Sequence, residues 1–188
     1  EIRDKRKAFS VADYQRLLTS VRNQDQDLAD LIRLGAYTGC RIEELCGLKM
    51  ENVLADRLKI EDSKTEAGWR EVPIHPHIQK LVIRLAAGRK DGYFLAGLTS
   101  NKYGDKSNAI GKRFGRLKTK CGYGRDYVFH SLRKGVATQL EGAQVPENHV
   151  ARLLGHKLNT MSYGLYSGGL PIEILKEAVS HLNWDSQT

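Results

Sequence analysis

The sequence predicts an α+β fold, mainly helical, with one small antiparallel β-sheet packed at one side. Most of the chain repeats apolar residues at helical spacing between recognisable start and stop signals. Residues 58–60 and 69–74 read as two strands, and the turn-forming stretch at 65–68 between them is short enough for a hairpin. With 188 residues, 40% hydrophobic and 28% charged, the chain has the size and composition of a single well-packed domain.

Taken in order, the first helix starts at a capping-box-like pair, Ser10 and Asp13, and carries Val11, Tyr14, Leu17, Leu18 and Val21 at helical spacing. A second covers about 26–38, with Leu28, Leu31, Ile32 and Gly35 inward and Gly39 as its stop. A short helix follows through Glu43, Glu44 and Leu45. Past Val53 the pattern changes to the two strands, after which Pro76 opens a helix with Ile78, Leu81, Val82 and Leu85 inward, closed near Gly88. Residues 93–95 read as a short extended stretch. Further helices are predicted over 107–120, 131–141, 146–154 and 171–182, with no internal repeat or low-complexity segment.

Thirty Lys and Arg against twenty-two Asp and Glu leave a formal charge of +8, which suits a polyanionic partner. The distribution is more telling: residues 102–125 hold eight basic side chains and one acid, Asp105. No apolar run approaches the roughly 18 residues that span a membrane, and no secretory signal opens the chain. Cys40, Cys46 and Cys121 are odd in number and not spaced as a zinc site; free, mostly buried thiols in the cytoplasm are the expectation. No cofactor is implied, and no Asp/Glu cluster suggests a metal site.

Five short segments carry the candidate chemistry. Arg41 lies in TGCRIEEL, where a helix start can aim N–H groups and a guanidinium fork at a phosphate, and Glu44 one turn on can hold that arginine. Lys64 stands in the turn between the strands, on a loop tip able to reach a polyanionic partner. His130 and Arg133, in HSLR, are three apart and share one face of a helix whose Leu132, Val136 and Leu140 turn to the core. His156 follows Leu153, Leu154 and Gly155 just beyond a helix end. Tyr163 and Tyr166 lie in SYGLYSGG. Four of the five have a bland counterpart: a surface ion pair, a solubilising lysine, a capping histidine, a core aromatic; the leucine pair, glycine and histidine at a helix end is the most specific.

In this order the segments resemble the tyrosine recombinase (phage integrase) family, and the resemblance runs from AFSVADYQRLL almost to the end of the chain. It implies Arg41 and Arg133 as clamps on the scissile phosphate and Glu44 in support. It further implies Lys64 as general acid on the departing 5′ oxygen, His130 as proton acceptor or phosphate ligand, and His156 as hydrogen-bond donor. The family's usual spacing from that histidine lands on Leu165, so Tyr166, the candidate nucleophile, stands one residue late; Tyr163 is the alternative.

On this likeness residues 1–9 form a linker from an N-terminal DNA-binding domain, 10–167 the catalytic domain, and 168–188 a tail helix. The tail's apolar face of Ile172, Leu175, Ala178, Val179 and Leu182 docks either on a neighbouring protomer or on its own domain. The implied function is site-specific recombination of phage or mobile-element DNA through a 3′-phosphotyrosyl intermediate. Double-stranded DNA is the partner, a homotetramer the working assembly on it, with a monomer in isolation and accessory DNA-bending proteins compatible. Relaxation of DNA in the manner of a type IB topoisomerase, a DNA-binding protein without catalysis, and a metal-dependent nuclease using His130 and His156 are the competing expectations. Lys102, Lys106, Lys112, Arg113, Arg116, Lys118 and Lys120 are candidate phosphate contacts, or simply a solvated basic face.

Overall fold

The computed structural model describes residues 6–61, 69–158 and 169–185. Helix α1 (Val11–Ser20) begins where expected, with Ser10 and Asp13 exchanging side chain-to-backbone hydrogen bonds of 2.7 and 3.2 Å. Such a box satisfies two of the orphan N–H groups of a helix start. Helix α2 (Gln26–Thr38) is capped by the Asp25 carboxylate and ends at Gly39, whose φ of 66° is left-handed. It is the central element, with Leu31, Ile32, Leu34 and Ala36 wholly inaccessible. The short α3 (Ile42–Cys46) follows at once, then a single 3-10 turn at Met50–Asn52.

Strands β1 (Arg57–Ile60) and β2 (Arg70–Pro73) pair antiparallel, with Leu58 opposite Val72 and Ile60 opposite Arg70. Leu58, Ile60 and Val72 face the core, while the cross-strand pair of Arg57 with Glu71 (2.8 Å) is partly exposed. Helices α4 (Pro76–Ala86), α5 (Ser107–Lys120), α6 (His130–Gly142), α7 (Glu147–Leu154) and α8 (Ile172–Ser180) complete the fold. The domain is thus mainly helical with a two-stranded sheet. Residues 93–95 make a single bridge, Tyr93 with Lys49, rather than a strand: Phe94 N–H donates to the Leu48 carbonyl at 2.7 Å.

Both flanks of the chain pack into the same core. Phe9 is 2% exposed and stacks on Tyr127, centroids 5.0 Å apart. Trp184 is fully buried beside Tyr14 and α6. Within the chain, helix α8 packs against β2 and α7, burying Leu175, Ala178 and Val179. Cys40, Cys46 and Cys121 are buried free thiols. Among the described residues, no helix is long and apolar enough to cross a membrane.

Candidate active site

The ends of α2 and α7 and the starts of α3 and α6 meet at one place, and glycine lets them approach. A Cβ on Gly39 would stand 2.6 Å from Leu154 Cδ2, so glycine, already favoured there by its left-handed backbone, lets the two helix ends touch without displacing that leucine. The last carbonyls of each helix then point at the junction without intrahelical donors.

Arg133 satisfies them. Its Nη1 donates to the Gly39 carbonyl at 2.9 Å and its Nη2 to the Leu154 carbonyl, so one guanidinium bridges two helix C-termini. A cation is favoured there by both helix dipoles. The sequence pattern puts Arg133 on the face of His130 rather than with core-facing Leu132, whereas its side chain is 3% exposed and nearly as buried as that leucine. The long stem lets it enter the core from the second turn of α6 and find carbonyls that an apolar residue would leave unpaired. Burial, joined by the charges of Arg70 and Arg41, pushes the Arg133 pKa down to about 10.

Arg41 precedes α3. Its N–H donates to Glu44 Oε2 at 2.7 Å and its Nη1 lies 3.3 Å from Oε1, with the arginine side chain 38% exposed and the carboxylate nearly buried. Glu44 in turn receives both terminal nitrogens of Arg70, each at 2.9 Å. Burial favours the neutral Glu44 carboxyl, but the hydrogen bonds and charge of Arg70, with the Arg41 N–H, hold it below its ordinary 4.5. His130 opens α6 half-buried, and His156 is exposed just past Gly155, its N–H bonded to the Ala151 carbonyl at 2.9 Å. Partial desolvation of each ring and then the charge of Arg133 lower the pKa of both imidazoles, with Arg41 contributing to each. Both are therefore neutral near pH 7, each able to donate or accept one proton.

The structure thus brings together Arg41, Glu44, His130, Arg133 and His156. Lys64, Tyr163 and Tyr166 fall outside the described residues. The basic candidates lie elsewhere, on α5 and the loop before it. Arg113 is held by Asp25 at 3.0 Å, Lys118 bonds the Gly124 carbonyl at 2.7 Å, and Lys102 and Lys106 lie over the Tyr103 and Tyr93 rings. Lys112, Arg116 and Lys120 are exposed.

Sequence reasoning missed Arg70. Strand alternation places it on the same face as the buried Val72, and an arginine on a core face needs a partner; that was the available signal. Also missed were Lys49, Lys59 and Trp69, which line a cleft of about 650 Å³ with Arg41. Among the described residues, no group of three or more His, Cys, Asp or Glu is arranged to hold a metal ion.

Three guanidiniums and two neutral imidazoles around one carboxylate make a site with surplus positive charge and N–H donors, suited to an oxyanion such as a phosphodiester. The sequence model described as the phage integrase family matches residues 7–168. The integrase of Escherichia phage HK022 is 28% identical over 137 residues, covering 69% of this chain and 38% of that protein. The chain spans less than half the length of the curated relatives it matches. Among solved structures, the integrase from mycobacterium phage Brujita aligns with a TM-score of 0.74 at 19% identity, covering 97% of this chain and 60% of that one. A lambda integrase tetramer bound to a Holliday junction aligns at 0.65 with 20% identity, covering 89% and 50%. These likenesses show the fold.

Proposed function

The chain belongs to the phage integrase family, and from that premise we propose that it carries out site-specific DNA recombination, breaking and rejoining strands through a covalent link to Tyr166. The observation that carries the proposal is the convergence of Arg41 and Arg133, clamped by Glu44 and two helix ends, with His130 and His156 beside them.

The chemistry follows from what a phosphodiester requires. Negative charge grows on the non-bridging oxygens toward a pentacoordinate transition state, and two guanidiniums with an imidazole N–H stabilise it. A phenol is a weak nucleophile near neutrality because its pKa is about 10; the same cations favour the phenolate, and neutral His130 can take the proton. Attack of the Tyr166 oxygen on phosphorus forms a 3′-phosphotyrosyl ester as the bond to the 5′ oxygen breaks, and Lys64 protonates that oxygen. A 5′ hydroxyl from the partner strand then displaces the tyrosine. One ester replaces another at each step, so the exchange conserves bond energy.

Residues 10–167 form the catalytic unit in this reading, with Phe9 and Trp184 required for its packing. Its substrate is double-stranded DNA in the cytoplasm of a host cell. The tetramer that lambda integrase forms on a Holliday junction supports a homotetramer as the working assembly. The test is a nicked suicide duplex carrying the recombination site, incubated with the protein and resolved under denaturing conditions. A covalent adduct is expected with the wild type and with Tyr163→Phe, and none with Tyr166→Phe. Absence of a wild-type adduct sinks the proposal, and an adduct that survives Tyr166→Phe moves the nucleophile.

A further inference from the structure

We propose that Arg70 is a positioning residue for this reaction: from β2 it ties Glu44, and through Glu44 the phosphate-facing Arg41, to the end of α7 from which His156 projects. The inference rests on the recombinase reading of the site and adds a residue to it. The geometry is specific. Arg70 Nη1 and Nη2 each donate to a separate oxygen of Glu44 at 2.9 Å, while its Nε donates to the Leu153 carbonyl at 2.7 Å. The arginine and glutamate side chains are 5% and 6% exposed. One planar fork thus joins the start of α3 to the end of α7, and its three bonds cannot all be kept if either element shifts.

Gly155 makes room for this fork. A Cβ there would lie 2.9 Å from Arg70 Nη1 and 3.1 Å from Cδ, and the glycine sits at a left-handed φ of 67°. The residue before His156 therefore both stops the helix and admits the guanidinium. Arg133 reaches the same end of α7 and joins it to the end of α2 through the Leu154 and Gly39 carbonyls. With both braces in place, Arg41 and His156 keep one separation, as two ligands of a single phosphate must. A lysine keeps the charge at position 70 but cannot make a bidentate bond to Glu44 and reach Leu153 at once.

Buried ion pairs can often be exchanged for apolar residues at little cost in stability, which separates positioning from simple support. The experiment compares wild type, Arg70→Lys, and the apolar double variant Arg70→Met/Glu44→Leu. Single-turnover cleavage at saturating DNA, DNA affinity, melting temperature, and inorganic phosphate binding followed by the His156 ring signal are measured on each. Arg70→Lys is expected to cleave about 100-fold more slowly, with DNA affinity within about threefold of wild type, as a misplacement near 1 Å does. Its phosphate affinity should fall about tenfold on the same ground, and the folded double variant should be equally slow. Wild-type cleavage by Arg70→Lys, or by the folded double variant, overturns the inference, as does a loss confined to DNA affinity. A wild type that forms no adduct, with phosphate binding still weakened in Arg70→Lys, sinks the recombinase reading and leaves the brace standing.

Discussion

The indole of Trp184 fills the space that a side chain on Gly135 would need. A Cβ at position 135 would collide with the ring and lie 2.7 Å from the Phe9 carbonyl oxygen. Gly135 is two residues past Arg133 on α6, so Phe9 and Trp184 both close on the helix that carries Arg133. Gly135→Ala is therefore expected to cost about 1–3 kcal/mol, as overpacking does, although alanine is the better helix former. Gly115→Ala, on α5 with nothing within 4 Å of the new Cβ, should instead stabilise by roughly 0.5–1 kcal/mol. Urea midpoints of the two variants must move in opposite directions; a shared sign refutes the packing account.

Helix limits were legible because the signals that set them are local. Ser10 with Asp13, Gly39 and Gly155 act within a turn of their own positions. Arg41, His130, Arg133 and His156 were legible through their order along the chain. Arg70 was not, since its partners Glu44 and Leu153 lie 26 and 83 residues away, and only the core-facing register of β2 hinted at a need for them. The same holds for Trp184, which sits in a segment that reads as a tail, while the cavity that receives it exists only once α1, α2 and α6 have packed. Among the basic residues, composition made Arg113 and Arg116 alike; Asp25, contributed by the turn before α2, separates them.

Acid should destabilise the domain in two stages. His75, His130 and His156 are all held below 6.5, first by burial and then by neighbouring positive or imidazole charge. A histidine with a lowered folded pKa stabilises fully above the unfolded value, and that contribution is lost as pH falls through the folded one. Glu44, held below 4.5, adds a second loss beneath that value. Melting temperature should therefore decline as pH drops below 6.5 and again below 4.5, with the first decline smaller in His130→Gln. A bound phosphate favours imidazolium, so DNA affinity should move the other way and tighten between about pH 8 and 6. A flat melting temperature between about pH 7.5 and 5.5 contradicts the assignment.

Salt dependence should distinguish the basic residues of α5. Arg113, Arg116 and Lys120 line one groove with Arg22 and Asp25, but Arg113 is already paired with Asp25 at 3.0 Å. Replacing exposed Arg116 or Lys120 by Gln should reduce the slope of log affinity against log salt by about 1 each if they neutralise phosphates. Arg113→Gln should change the slope less and lower stability, because it leaves Asp25 without its cation. Equal slopes for wild type, Arg116→Gln and Lys120→Gln remove this face from the DNA interface.

Arg133→Lys and Arg41→Lys should fail in different ways. Arg133 is buried and bridges the Gly39 and Leu154 carbonyls; a lysine reaches one of them and leaves the other unpaired, at a cost of about 1–3 kcal/mol. On the proposed mechanism the same change withdraws a fixed donor from the phosphate, and cleavage should slow by roughly 100- to 1,000-fold. Arg41 is 38% exposed, and its backbone N–H makes the shorter bond to Glu44, 2.7 Å against 3.3 Å from Nη1. Arg41→Lys should therefore lose comparable rate with a melting temperature close to wild type. Measured together, single-turnover rate and melting temperature separate a phosphate ligand that also holds helix ends from one that does not. Arg133→Lys with wild-type stability would show that the two carbonyls find other donors and that the bridge is not what joins α2 to α7.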